Sequence, residues 1–221
     1  MALVALKDET FSYGVRDVLA NVSISIVKGE KIALLGRSGA GKSTLLTELY
    51  RRMAQSHPVV ALVPQDEALV PALSVYHNIY MGRLDQRSAL YNLANLIKPL
   101  AYDVAEVAAI ATDVSLADCL WQSVGTVSGG QKQRTAIARA LYRGGPIVLA
   151  DEPVSAVDVH QGAQILRSLA TRFETVILAM HDVDLAIAFA TRLVGLKNGR
   201  IVFDGATRQI SRSVIQDLYE S

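Results

Sequence analysis

The stretch Gly36-Arg37-Ser38-Gly39-Ala40-Gly41-Lys42-Ser43, continued by Thr44, has the spacing G-x-x-x-x-G-K-[ST]. Glycines at these positions let backbone N–H groups curl around phosphate oxygens, and a helix starting there adds the positive end of its dipole. Lys42 would then reach the β- and γ-phosphates of a nucleoside triphosphate, and the Ser43 hydroxyl would ligate Mg²⁺. Such a site needs an acid at the end of a neighbouring apolar strand. "IVLADEP" supplies Asp151, which can hold a Mg²⁺-bound water. Glu152 reaches one residue further, where a carboxylate could orient or deprotonate an attacking water. Paired acids after a strand are common; beside the glycine-rich loop they acquire a purpose.

His181 directly follows the apolar run "VILAM", and Gln65 ends "VVALVPQ". An imidazole at such a strand end could hydrogen-bond a γ-phosphate, and an amide there could reach Mg²⁺ or the attacking water. A packing histidine and an ordinary loop glutamine are the competing readings. His57, His77 and His160 read as surface or packing residues. A second anion-facing helix start lies in "TVSGGQKQRTAIARAL", where Ser128 is a good N-cap and Gly129 and Gly130 leave backbone amides open. A capped glycine-rich connector is the plainer reading of that stretch taken alone.

The elements that must hold these residues are legible as an α/β alternation. "ALVALKD" and "ANVSISIVKGEKIALLG" read as strands with a turn at Lys28-Gly29, and Lys31 to Gly36 as a short buried strand running into the loop. Helical spacing follows over Lys42 to Met53, then a strand over Val59 to Gln65. Residues from Ser74 to about Leu120 carry apolar residues at helical intervals, a helical insert that the Ser128 helix (about Gln131 to Tyr142) continues. Then come strand Pro146 to Asp151, helix Gln161 to Thr171, strand Glu174 to Met180 and helix Val183 to Thr191. "RLVGLKNGRIVFDG" closes as a hairpin on Asn198-Gly199. The pattern implies one domain over 1–221 with a mostly parallel sheet covered on both faces. Its core falls at about 1–73 and 146–221 and its helical subdomain at about 74–145.

The bulk numbers narrow the class. The 221 residues are 51% hydrophobic, with mean hydropathy +0.27, and no apolar run approaches a membrane span. "MALVALKDET" lacks the features of a signal peptide, and the single Cys119 fits a reducing compartment, so the expected location is cytoplasmic. Twenty-two basic against 21 acidic side chains argue against a nucleic-acid partner.

In this order, the elements resemble the ATP-binding cassette (ABC) ATPases, over nearly the whole chain. "VSGGQKQRTAIARAL" followed by "IVLADEP" and "SAVD" is the most specific part. The resemblance implies a P-loop NTPase core with an N-terminal antiparallel β portion and a helical signature subdomain. It makes Ser128, Gly129, Gly130 and Gln131 the signature, Gln65 the Q-loop residue, Asp158 the D-loop residue, His181 the switch histidine and Glu152 the catalytic carboxylate. Tyr13 in "FSYG" is placed like the aromatic residue that stacks on adenine. The cofactors implied are ATP and Mg²⁺, with Ser43, Gln65 and, through water, Asp151 around the metal.

In this family two cassettes close head-to-tail with ATP between the phosphate loop of one and the signature of the other. "SGGQ", which has no lysine or metal ligand of its own, then makes sense as half of a site. The implied partners are a second copy, transmembrane permease subunits that place the chain on the inner membrane face, and indirectly a periplasmic or lipid-anchored solute-binding protein. "LSVYHNIYMGRL" and "MHDVDLAIAFATRLVGLKNGRIVFDG" look most like ATPases of phosphonate importers. An export cassette, a soluble non-transport ABC ATPase and an unrelated P-loop kinase are the alternatives; the kinase leaves "SGGQ" without a purpose. Two departures stand out. Val127 replaces the commoner leucine, and only 22 residues separate Lys42 from Gln65. The β portion is therefore expected to be trimmed. The short stretch after His181 implies no C-terminal regulatory domain.

Overall fold

The computed structural model describes residues 2–13 and 16–220. Strands β1 (Ala2–Tyr13) and β2 (Arg16–Val27) form an antiparallel two-stranded sheet whose register shifts repeatedly. These irregularities let β1 run past the Ala2–Asp8 stretch expected from its alternation, curving the ribbon over the core. After the Lys28-Gly29 turn come β3 (Lys31–Leu35), the phosphate-loop segment and α1 (Lys42–Ser56), then β4 (Val60–Val63). No strand lies between α1 and β4, so the β portion is as short as the sequence spacing implied.

Helices fill the next stretch: α2 (Val75–Tyr80), α3 (Ala89–Ile97), α4 (Ala101–Asp113) and α5 (Gly129–Arg143), with 3₁₀ segments after α2 and between α4 and α5. The alternation then resumes with β5 (Ile147–Asp151), α6 (Val159–Arg172), β6 (Thr175–Ala179), α7 (Val183–Phe189), β7 (Arg192–Lys197) and β8 (Arg200–Ala206). Asn198 and Gly199 turn the last hairpin with φ of +50° and +73°, as an Asn-Gly pair favours. A short α8 (Arg212–Gln216) has no counterpart in the sequence reading, being too brief to show a helical period.

The main sheet runs β4-β5-β6-β3-β7-β8, parallel except for β8. One face packs on α1, which the β1–β2 ribbon covers in turn; Leu6, Leu19, Val22, Ile32, Leu45, Leu49 and Met53 fill that layer. The other face packs on the helical stretch, α6 and α7 through Ile137, Leu141, Val148, Leu166, Leu178 and others. Both faces being covered, β3, β5 and β6 are nearly uniformly apolar, which explains their lack of period-two alternation. Ala179 pairs with Asp151 on one side and Leu34 on the other, so the carboxyl ends of β5, β6 and β3 finish in one row. Ligand sites of parallel sheets gather at such an edge.

Candidate active site

The loop after β3 is fixed from below and from the side. Gly36 lies so close to β7 that a Cβ would meet Leu196 O at 2.3 Å. Gly41, the N-cap of α1, has φ +103°, and a side chain there would also strike Leu19. Gly199 N donates to Ala40 O at 3.3 Å, so the β7–β8 turn braces the loop. Lys42 is buried, and its Nζ donates to Gly36 O at 2.8 Å and to Arg37 O at 3.2 Å. Arg37, Ser38 and Gly39 remain exposed, as an anion cradle requires.

Burial holds the Lys42 ammonium below the ordinary amine range, opposed by the charges of Glu152 and Asp151. Burial pushes the Asp151 carboxyl above its usual range; Glu152 adds to that, while the Ser43 hydroxyl, Lys42 and His181 oppose it. Asp151 Oδ1 is buried without a hydrogen-bond partner. An orphaned carboxylate oxygen beside a serine hydroxyl at the start of a phosphate-loop helix fits a hydrated divalent cation. Among the described residues no cluster of three or more His, Cys, Asp or Glu stands ready to hold a metal by itself.

Glu152 follows β5 in a left-handed conformation, φ +51°, with its N–H donating to Ala179 O at 3.0 Å. That bend swings its side chain to His181, whose Nε2 donates to Glu152 Oε1 at 2.6 Å. Ser38, Gly39, Gly41, Lys42, Ser43, Thr44, Gln65 and Glu152 line one cavity of about 170 Å³. An adjoining hollow contains Ser43, Gln65 and Asp151. The arrangement can bind polyphosphate through amides and a cation, and can orient a water through an acid–imidazole pair.

Ser128, Gly129, Gly130, Gln131 and Asp158 do not line this cavity. Ser128 caps α5 in a full capping box. Its Oγ accepts from Gln131 N at 3.3 Å, and Gln131 Oε1 accepts from Ser128 N at 2.8 Å. The helix therefore starts at Gly129, two residues ahead of the sequence expectation, with Ser128 and Gly129 exposed. Asp158 likewise caps α6 by accepting from Gln161 N at 2.9 Å, which moves that helix start back to Val159. The Tyr13 side chain lies outside the described residues. Two residues escaped the sequence reading. Val18 lines the loop cavity but carries no local signal. Gln133 binds the loop after β5, and the signal that could have found it is a polar residue inside the buried stripe of α5.

A sequence profile describing the ABC transporter family matches residues 19–155, more than half the chain. The chain belongs to that family. It is an ATPase cassette, built on the P-loop NTPase fold. The phosphonates import ATP-binding protein of Rhizobium johnstonii is 33% identical over 97% of this chain and 85% of its own length. The corresponding protein of Haloquadratum walsbyi is 38% identical over 99% of this chain and 78% of its own. A solved dimeric ATP-binding cassette, in a post-hydrolysis state bound to ADP and Pi, superposes with a TM-score of 0.75. Its sequence is 25% identical, covering 95% of this chain and all of that one.

Proposed function

We propose that this chain is the ATP-hydrolysing subunit of a bacterial importer of phosphonates or related phosphate-type solutes, acting as a head-to-tail homodimer. The observation that carries the reading is the separation of its two anion-facing helix starts. The cavity around Lys42 contains none of Ser128, Gly129 or Gly130, yet Ser128 and Gly129 are exposed at a helix start held in shape by its capping box. Two copies turned head-to-tail bring one copy's signature onto the phosphate held by the other.

In this scheme Gly36 to Thr44 wrap the phosphates, and Lys42 leaves the Gly36 and Arg37 carbonyls for the β- and γ-phosphate oxygens. Ser43, Gln65 and, through water, Asp151 would hold Mg²⁺, which would supply positive charge to neutralise the charge developing on the phosphates. Glu152 takes the proton of the attacking water as its oxygen bonds the γ-phosphorus. The bond to the bridging oxygen breaks, and ADP departs with that electron pair. His181 holds Glu152 and reaches the γ-phosphate; Asp158 lies at the dimer seam and Tyr13 beside the adenine. The helical unit 74–145 couples these changes to permease subunits, on the strength of its apolar face: Leu90 and Ile97 of α3 and Tyr102 of α4 are 82%, 77% and 70% exposed. No helix among the described residues is long and apolar enough to cross a membrane, which suits a peripheral subunit on the cytoplasmic face. A solute-binding protein would act through the permease, and solute choice lies outside this chain.

The test is Glu152→Gln with Mg²⁺ and ATP. Hydrolysis should fall by about 10³-fold or more with ATP affinity kept. The chain should sediment as a dimer with ATP and as a monomer without it. A variant that stays monomeric at saturating ATP, alone and with its permease, contradicts the head-to-tail reading.

A further inference from the structure

Gln133 is 6% exposed, a polar side chain in the apolar stripe of α5, and the scheme above does not use it. It lies one turn past Gly129 and Gly130, with its amide turned into the loop between β5 and α6. Nε2 donates to Glu152 O at 2.7 Å and to Ser155 Oγ at 3.0 Å. Oε1 accepts from Ala156 N at 3.1 Å. One buried amide thus ties the backbone of Glu152 to the loop four residues later.

The tie matters because of the conformation it holds. Glu152 is left-handed at φ +51°, a region that non-glycine residues keep only when their surroundings over-determine it. Its N–H is fixed by Ala179 and its carboxylate by His181. Its carbonyl accepts from Ser155 N at 3.3 Å and Ser155 Oγ at 3.1 Å within its own turn, and Gln133, at 2.7 Å, is the donor that ties that turn to α5. The same helix presses on the same loop at Gly130, where a Cβ would lie 3.0 Å from Ala156 O. Without the Gln133 amide, the Glu152 carbonyl keeps only the Ser155 donors of its own turn and the Ala156 N–H loses its acceptor, so the turn is no longer anchored to α5 and is free to relax.

We propose that Gln133 is a positioning residue for hydrolysis, holding the left-handed bend that aims the Glu152 carboxylate at the attacking water. The proposal rests on Glu152 being the proton acceptor. Gln133→Met keeps length and apolar packing while removing every hydrogen bond of the Gln133 amide. The variant's kcat should fall about 10- to 100-fold, the usual cost of a misplaced catalytic group. Its KM and ATP affinity should stay within about twofold, because phosphate binding does not pass through this loop. The double variant Gln133→Met/Glu152→Gln should hydrolyse no more slowly than Glu152→Gln alone, since both act on one group. Ser155→Ala, which leaves the Gln133 bonds to Glu152 O and Ala156 N in place, should lower kcat by less. A wild-type kcat in Gln133→Met beside an inactive Glu152→Gln overturns the role of Gln133 and leaves that of Glu152 standing, as does a full additional loss in the double variant. A wild-type rate in Glu152→Gln alone removes the base and the proposal together.

Discussion

Lys42 spends its hydrogen bonds on the carbonyls of its own loop, Gly36 and Arg37, inside a site where burial disfavours its charge. A cation so placed is costly to keep and ready to move, because a polyphosphate offers it stronger acceptors than two amide carbonyls. Lys42→Met should therefore abolish ATP binding while lowering unfolding stability by no more than about 1 kcal/mol, since a desolvated charge leaves with the lost hydrogen bonds. Nucleotide titration and a urea melt check both halves. The loop from Gly36 to Thr44, the acids Asp151 and Glu152, and His181 were legible in the sequence because each sits at the junction of a strand with its own turn. The Glu152–His181 pair was not, since it depends on a left-handed residue and on two strands lying side by side.

Helix α5 shows what a single element can organise. Its N-terminus presents Ser128 and Gly129, its second turn holds the Glu152 loop through Gln133, and its C-terminal end carries Tyr142 into the helical stretch. There the fully buried Asp103 of α4 accepts from Tyr91 of α3 at 2.7 Å and from Tyr142 at 3.2 Å, with Arg87 3.6 Å away. Three helices meet on one carboxylate, so removing it strands the buried Tyr142 hydroxyl and takes the acceptor from the half-buried Tyr91 hydroxyl. Asp103→Ala should cost about 3 kcal/mol by urea unfolding, and Asp103→Asn less, because its amide oxygen still accepts. The helical character of this stretch was readable from its apolar spacing. Its polar centre was not, since Asp103 looks like an ordinary first-turn acid and its partners lie on other elements. The expected starts of α5 and α6 were each two residues late for the same reason: Ser128 and Asp158 cap earlier than the apolar period begins.

At the scale of the whole molecule, the sheet gathers phosphate loop, acids and imidazole at one edge and leaves the α5 start outside that cavity. The exposed face of Leu90, Leu93 and Ile97 on α3 lies on the helical stretch, which also carries α5. The cavity at Lys42 and the capped start of α5 therefore do not meet within one chain. In the proposed head-to-tail dimer a second copy supplies the missing half, and mixing two crippled chains tests this most directly. Lys42→Met lacks its own phosphate site and keeps its signature; Ser128→Arg keeps its phosphate site and loses its signature. Each alone should be inactive, and Ser128→Arg should still bind ATP as a single chain. Mixed, they should regain hydrolysis, because one intact site forms from the loop of the Ser128→Arg chain and the signature of the Lys42→Met chain. A mixture as silent as its two parents would mean that Ser128 acts on its own chain's nucleotide, and would contradict the two-chain site.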